Sequence, residues 1–235
     1  MENILLKYMV ERFNLEHDGT RIQQKNLPFI TISREYGCPA KDVAAMIVAR
    51  LNEVNEKSKN FQAWTWISKE ILQAASSELN IGTSRIDKIF NDEKRGTIDE
   101  ILNALSDKYY QSDRKILKTI DKVIFDFATK GHVVIVGRGG VSVTRDLASG
   151  LHVRLFAPLD WRLDKLMQTG KYKTLAEAGK ASKQADFKRN ELLKSKSKSD
   201  YSFEDDFDVY YNCKYLSVEE IGSSLIELLR HKKLI

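Results

Sequence analysis

The chain has 235 residues, of which 42% are hydrophobic and 30% charged, a composition typical of a soluble globular protein with one sizeable α/β domain. Its net charge of +5 suits anionic ligands but is low for a protein dedicated to nucleic acid. Two cysteines and four scattered histidines exclude a disulfide framework and a zinc site, and no apolar run approaches the ~18 residues that span a bilayer, so we expect a cytoplasmic protein.

The first half of the chain predicts two strand–helix pairs after an N-terminal helix at residues 1–16. The apolar run Pro28–Ser33 predicts a strand, and the helical spacing that follows it extends to about Asn55. The aromatic run Phe61–Ile67 predicts a second strand, after which Ser68 is placed to cap the N-terminus of a helix.

The second half of the chain alternates between strands and helices. A long helical pattern over residues 98–130 ends at Gly131, and the β-branched run His132–Val136 is typical of a strand buried on both faces. Ser217 and Glu220 have the capping-box spacing that begins the last helix. The alternation predicts an α/β three-layer sandwich with a five-stranded parallel sheet and ligands at the carboxyl ends of its strands. The remaining predicted elements are helices at Val141–Leu147, Leu159–Met167 and Thr174–Lys198 and strands at Leu151–Phe156 and Asp208–Cys213.

The loop between the first strand and its helix is the first candidate for ligand binding. A strand, a tight loop and a helix N-terminus can bind a phosphate, with Gly37 allowing the turn, Lys41 supplying a cation and Asp42 a ligand for Mg²⁺. Against this, the loop lacks the Walker A pattern, Pro39 has no N–H to donate, and a left-handed Ala40 would cost ~1–2 kcal/mol. The residues alone leave a phosphate loop and an ordinary turn both open.

Basic residues after the strand His132–Val136 and within the later predicted helices form the second group of candidates. Gly137-Arg138-Gly139-Gly140 closes a buried strand, which suits bidentate phosphate recognition, the alternative being a glycine-rich turn with a solvated Arg. Lys183, Asp186 and Arg189 lie on one face of the basic helix, which is compatible with a lid over a transferring phosphoryl group or with a solvated face. Of the cations in this region we select Arg162 and Arg189 as site candidates.

Cys38 lies near a predicted helix N-terminus, where a thiolate is stabilised. No histidine is close to it in the sequence, so a small residue that fills the loop is a better interpretation than a nucleophile. Cys213 ends an apolar strand, as is typical of a buried small residue.

Taken together, these segments resemble the cytidylate kinase-like family of P-loop nucleoside monophosphate kinases over roughly residues 29–229. The similarity depends on several motifs that occur in the same order, although each is weak alone. The motifs are ITISREYG with the Lys41-Asp42 that follows it, WISKEI, VVIVGRGG, HVRLFAPLDWRLDKLM, the KxxDxxR of Lys183–Arg189, and FDVYYNCKYLSVEEIGSSLI.

The resemblance implies a P-loop nucleoside monophosphate kinase-like fold in a single domain. Its core is expected at about residues 28–60, 128–167 and 200–235. An inserted helical region that binds the acceptor is expected at about 68–112, and a lid at about 168–199.

The resemblance also implies transfer of the γ-phosphoryl group of ATP, with Mg²⁺, to CMP, dCMP or a similar nucleoside monophosphate. By position, Arg138 is expected to contact the acceptor or the transferring phosphate, and Arg162 and Arg189 to clamp the ATP phosphates. The loop residues expected to bind the nucleotide are Gly37, Cys38, Ala40, Lys41 and Asp42, with Asp42 also the expected metal ligand.

The loop departs from the family's pattern, which usually has Gly-Ser-Gly-Gly where this chain has Gly37-Cys38-Pro39-Ala40. Related kinases with a full Walker A have lysine at Ala40, and Ser68 stands where an aspartate is expected. The chain is therefore either a kinase or a catalytically inactive nucleotide- or anion-binding regulatory descendant of the family.

The expected partners are a nucleoside triphosphate donor and a nucleoside monophosphate acceptor. The basic helix lacks the interleaved aromatic residues of a single-strand groove, which argues against nucleic acid. We expect no membrane association, and the sequence leaves a homo-oligomer open.

Overall fold

The computed structural model of the protein describes residues 27–55, 62–79, 107–196 and 202–235. The predicted N-terminal helix at residues 1–16 and the first residues of the long helix, 98–106, lie outside these ranges. Among the described helices, none is both long and apolar enough to cross a membrane.

The described strands form one sheet in which every neighbouring pair is parallel, as the sequence predicts. The strand order is β2-β3-β1-β4-β5, so β1 lies at the centre. The strands are β1 (Phe29–Arg34), β2 (Thr65–Ile67), β3 (Val133–Val136), β4 (Gly150–Phe156) and β5 (Val209–Asn212).

Two of the described helices begin at residues whose side chains cap the helix N-terminus. Thr174 accepts a hydrogen bond from the backbone of Glu177, and Ser217 and Glu220 make both halves of the predicted capping box. The described helices are α1 (Ala40–Asn55), α2 (Glu70–Leu79), α3 (Asp107–Lys130), α4 (Gly140–Thr144), α5 (Leu159–Gln168), α6 (Leu175–Lys194) and α7 (Val218–His231), with a 3₁₀ turn at Phe203–Asp206.

The two faces of the sheet are covered by different helices, which makes the predicted three-layer sandwich. On one face, Ile30 and Ile32 of β1 share a buried cluster with residues of α1 and α7. α4 begins on the other face. A Cβ added to Gly140, its first residue, would lie 3.1 Å from the Ile135 side chain and 3.6 Å from that of Thr31, so this end of α4 packs closely against the sheet. Burying an aliphatic side chain of this kind contributes about 1.5–3 kcal/mol, so the β-branched strands form the core.

The second strand is shorter than the predicted Phe61–Ile67. The side chain of Asn52 in α1 accepts a hydrogen bond from the Trp64 N–H and donates one to its carbonyl oxygen. Both backbone groups of Trp64 are therefore satisfied outside the ladder, and pairing with β3 begins only at Thr65. The strand predicted from His132 likewise begins one residue later, because His132 has a φ of +51°.

The described residues fall into two compact units. The first comprises Asn26–Ile67 and Phe127–Ile235 and contains the whole sheet, whereas the second contains α2 and α3 as far as Asp126. Every candidate site residue predicted from the sequence belongs to the unit that contains the sheet.

We predict that the buried imidazole of His152 makes the fold sensitive to acid. His152 is 6% exposed, and its Nδ1 lies 2.8 Å from Thr31 Oγ1. Burial lowers the pKa of His152 despite the opposing effect of Asp208, so the unfolded chain binds a proton more readily than the folded one. Stability should be complete above the ordinary histidine pKa of about 6.5 and should fall as the pH drops from there towards the lower folded-state pKa.

Chemical unfolding at pH 7.5 and 5.5 tests this prediction. We expect His152→Gln to be about 1 kcal/mol less stable than the wild type at pH 7.5, from the lost hydrogen bond, but to lose less stability on acidification. The control is His231→Gln, because His231 is exposed near the end of α7. An acid sensitivity of His152→Gln equal to that of the wild type would contradict the prediction.

Candidate functional site

The candidate site lies where β1, β3 and β4 end, at the carboxyl edge of the sheet. In parallel sheets this edge is where ligands bind, because the loops that leave the strands converge there. Four segments meet at this place in the unit that contains the sheet, namely the loop after β1 (residues 35–39), the loop after β3 (residues 137–139), α5 and α6.

The loop after β1 uses most of its backbone N–H groups inside the protein. Tyr36 N donates to Asp186 Oδ1 at 2.6 Å, and Glu35 N donates to Leu155 O at 3.0 Å. Within the loop, Cys38 N donates to Glu35 O at 3.3 Å and Ala40 N to Cys38 O at 2.9 Å. Since a phosphate loop binds its ligand through free backbone N–H groups, the N–H groups of Glu35, Tyr36, Cys38 and Ala40 are not available for that role in the conformation described.

Gly37 has a φ of +96°, which the turn requires and a residue with a side chain rarely adopts. A Cβ added to it would lie 3.1 Å from both the Cβ and the carbonyl oxygen of Arg162. The absence of a side chain at Gly37 thus serves both the turn and the close packing of α5 against the loop.

The residues that follow the turn differ in their surroundings. Ala40 begins α1, is 3% exposed, and is not among the residues with positive φ, so the left-handed strain considered above does not arise. Lys41 and Asp42 are exposed in the first turn of α1. In the described ranges no three His, Cys, Asp or Glu side chains form a group that could hold a metal, so Asp42 would serve only an Mg²⁺ ion that a nucleotide brings with it.

The structure brings the two cysteines together although they lie 175 positions apart in the sequence. The hydrogen bond between the Cys38 and Cys213 side chains, together with burial, raises the pKa of the Cys38 thiol above its ordinary value. Cys38 is therefore a protonated thiol at neutral pH, packed against the core cluster that includes Cys213, and does not act as a thiolate nucleophile.

Arg162 is buried and makes several contacts within the protein. Its Nε donates to Ala157 O at 2.9 Å and lies 3.4 Å from Glu35 Oε2. Its Nη1 donates to Tyr36 O at 2.9 Å and to Asp186 Oδ2 at 2.6 Å. Arg162 of α5 thus fastens the loop after β1 to α6.

Asp186 and Arg189 lie on the side of α6 that faces this loop. Arg189 Nη1 donates to Arg34 O at 3.3 Å and lies 3.6 Å from Asp186 Oδ1, and its guanidinium carbon is 5.3 Å from the centre of the Tyr36 ring. Lys183, the third residue of the predicted motif, is exposed. Exposure of Lys183 agrees with the solvated interpretation, whereas Arg189 contacts the loop after β1, and its role in ligand binding stays a prediction.

A second contact joins the loop to the segment between α5 and α6. The hydroxyl oxygens of Tyr36 and Tyr172 lie 2.7 Å apart, and Lys171 Nζ donates to Tyr36 Oη at 2.9 Å. Burial raises the pKa of Tyr36, but the hydrogen bonds with Lys171 and Tyr172 outweigh burial and lower it below its ordinary value. The phenol of Tyr36 thus holds this segment against the loop.

The loop after β3 has a φ of +78° at Gly137, +60° at Arg138 and +70° at Gly139. Arg138 is partly buried, and its positive charge is one of the causes that lower the pKa of Arg34. A Cβ added to Gly139 would lie 3.4 Å from Lys196 Nζ, so the end of α6 also approaches this loop.

Two further arginines, neither of them among the candidates predicted from the sequence, lie at the same edge of the sheet. Arg34 at the end of β1 lies against Gly137, and Arg154 in β4 is 7% exposed and donates from Nη2 to Asn190 Oδ1 at 3.1 Å. Arg154 gave one usable signal, since an arginine inside an apolar strand is rarely buried without a function or a partner. Arg34 gave only its position at the carboxyl end of a strand.

Comparisons with known proteins agree with this architecture. A crystal structure of an uncharacterized protein from Eubacterium ventriosum ATCC 27560 is similar to the chain with a TM-score of 0.59 and 17% identity, covering 88% of this chain and 99% of that one. Shikimate kinase from Bacteroides thetaiotaomicron is similar with a TM-score of 0.50 and 13% identity, covering 86% and 98%. At these identities the likeness concerns the fold alone, and no curated protein matches the sequence significantly.

A family model that matches the sequence identifies the family of the chain, whereas the solved structures show its fold alone. The model of the cytidylate kinase-like family matches residues 29–215, which include the loop after β1, the loop after β3, α5 and α6. Because this match covers most of the chain, the protein belongs to the cytidylate kinase-like family.

Proposed function

We propose that the protein binds a nucleoside triphosphate with Mg²⁺ and transfers its γ-phosphoryl group to CMP, dCMP or a similar nucleoside monophosphate. The observation that carries this proposal is the position of α6, whose Arg189 lies directly on the loop after β1 at the carboxyl edge of the sheet. Phosphoryl transfer requires little covalent chemistry from the protein, since positioning and neutralisation of negative charge supply most of the catalysis.

In the proposed reaction a phosphate oxygen of the acceptor forms a bond to the γ-phosphorus, and the bond to the β–γ bridging oxygen breaks. Arg138 and Arg189 are the proposed catalytic residues, because Arg138 lies in the loop after β3 and Arg189 reaches the end of β1 from α6. Arg162 is proposed as a positioning residue, since its contacts to Tyr36 O and Asp186 hold α6 in place for Arg189.

The proposed nucleotide-binding loop comprises Gly37, Cys38, Ala40, Lys41 and Asp42. Of these, Lys41 and Asp42 have exposed side chains in the first turn of α1, where they could meet a phosphate and its Mg²⁺. We propose residues 68–112 as the acceptor-binding region and 168–199 as the lid, and the reducing cytoplasm as the compartment, in keeping with two free cysteines.

One observation favours a second function, that of a catalytically inactive nucleotide- or anion-binding regulatory protein. The N–H groups of Glu35, Tyr36, Cys38 and Ala40 already donate within the chain, and Pro39 has none. Binding of a nucleotide without turnover would distinguish this function from a kinase. A coupled assay with CMP, dCMP and other monophosphates, run beside calorimetric titration with Mg·ATP, separates the two.

We predict that Arg189→Met weakens Mg·ATP binding by about tenfold or more, because a charge-assisted hydrogen bond typically contributes ~1.5–3 kcal/mol. Calorimetric titration of Mg·ATP measures the effect. The matched control is Lys180→Met, which removes a cation from an exposed position of the same helix. Equal affinity in the two variants would remove Arg189 from the site.

We predict that restoring glycine at Pro39 and Ala40 does not raise ATP affinity. Ala40 is a buried helical residue whose N–H donates to Cys38 O, so a glycine there frees no donor and costs about 1 kcal/mol of stability. Titration of the double variant Pro39→Gly/Ala40→Gly with Mg·ATP, beside its thermal unfolding, tests this. A rise in affinity would show instead that the backbone of the loop binds phosphate and is only weakened by its sequence.

A further inference from the structure

The guanidinium group of Arg34 occupies the space directly above Gly137. A Cβ added to Gly137 would lie 1.9 Å from Arg34 Nη1, so only a residue without a side chain leaves room for the guanidinium. Arg34 ends β1 and Gly137 directly follows the neighbouring strand β3, and the N–H of Gly137 donates to Ile32 O at 2.9 Å. Gly137 thus leaves room for Arg34 at the carboxyl edge of the sheet.

The charges around Arg34 repel it. Burial, followed by the guanidinium groups of Arg189, Arg138 and Arg154, lowers the pKa of Arg34 to about 9. Arg34 therefore stays charged at neutral pH among like charges, and in the described part of the chain it has no ion pair. This grouping of like charges destabilises the unliganded protein and favours the binding of an anion among the four arginines.

Most of the backbone N–H groups of the neighbouring loop already donate within the protein, so they do not compete for such an anion. Asp186 and Glu35, the carboxylates nearest to the loop, are already bound by Tyr36 N, Arg162 and Ala157 N. Arg154 reaches the same place from β4, where it donates to the neutral amide of Asn190. Burial lowers the pKa of Arg154, and the charges of Glu35 and Asp186 offset this effect only in part. The arginines at this edge therefore carry more positive charge than Asp186 and Glu35 neutralise.

We propose that Arg34, together with Arg154 and Arg189, forms a subsite for a phosphoryl group, in which guanidinium side chains take the part that backbone N–H groups play in a phosphate loop. A planar guanidinium presents two parallel N–H donors that match two oxygens of a phosphate, and a dianionic phosphoryl group neutralises more of the cluster than a carboxylate does. The inference rests on the proposed function only for the assumption that the phosphoryl group belongs to a nucleotide.

Binding of inorganic pyrophosphate to the full chain tests the subsite without a nucleotide. We expect pyrophosphate to raise the melting temperature of the wild type above that in sodium chloride of equal ionic strength, since a ligand of the folded state stabilises it. We expect Arg34→Met to melt no lower than the wild type without ligand, because like-charge repulsion is relieved, and to bind pyrophosphate about tenfold or more weakly. The control is Arg230→Met, which removes an exposed arginine of α7.

Arg34→Lys provides a second variant in case Arg34→Met does not fold, since it keeps the charge and the aliphatic stem but loses the fork. Weaker pyrophosphate binding by folded Arg34→Lys supports the subsite, and unchanged binding overturns it. The same titrations with Mg·ATP identify the source of the phosphoryl group. A dependence on Arg34 with ATP alone assigns the subsite to a nucleotide, and a dependence with both probes assigns it to phosphoryl groups in general.

The transfer assay separates this inference from the proposed function. Pyrophosphate binding that depends on Arg34, in a protein that phosphorylates no monophosphate, would leave the subsite standing and refute the kinase. Phosphoryl transfer by Arg34→Met at the wild-type rate and KM would leave the kinase standing and refute the subsite.

Discussion

The carboxylate of Asp186 is the interaction on which the arrangement of the site depends. It accepts the N–H of Tyr36 through one oxygen and Arg162 Nη1 through the other, both at 2.6 Å. Asp186 thereby joins α6 to the loop after β1 and to α5 at once. Because the side chains of Arg162 and Asp186 are only 8% and 18% exposed, loss of the carboxylate would leave the buried arginine with Glu35 as its remaining ion-pair partner and would free the N–H of Tyr36, so we expect a clear loss of stability. The position of Arg189, one turn further along α6, follows from this contact.

The same contact has a consequence for the chemistry of the loop. In a phosphate loop, backbone N–H groups of this kind face the ligand's oxygens, whereas here a carboxylate of the protein accepts the N–H of Tyr36. The loop is thus ordered by an internal anion, and the cations around it are left to attract an external one. In the proposed subsite, side chains would bind the phosphate in place of the backbone groups and the lysine of a Walker A loop.

Much of the fold could be predicted from the sequence because its signals are local. The run from His132 to Val136 is β-branched throughout, and Ser217 and Glu220 are a capping box within one helical turn, so neither needs the rest of the chain to be recognised. The length of β2 was missed because the side chain that ends it, Asn52, lies 12 positions before Trp64 and acts through a tertiary hydrogen bond. In the candidate site, Arg189 could be selected from its motif, whereas Arg34 resembles an ordinary strand end until Gly137 is placed beside it.

Recognition by guanidinium groups and recognition by backbone amides place different demands on a protein. Backbone amides carry no net charge and leave the unliganded loop stable, but they need glycines and free N–H groups, which Pro39 and the internal hydrogen bonds of this loop remove. Arginines tolerate such a loop, but burial and, after it, mutual repulsion disfavour their charge when no anion is present, and both lower the pKa of Arg34. Repulsion of this kind is offset by the tie between Asp186 and Arg162 and by packing of Gly37 against α5. In the proposed subsite the loop and the arginines therefore act together. The internal hydrogen bonds of the loop keep it rigid, and the rigid loop holds the arginines in place.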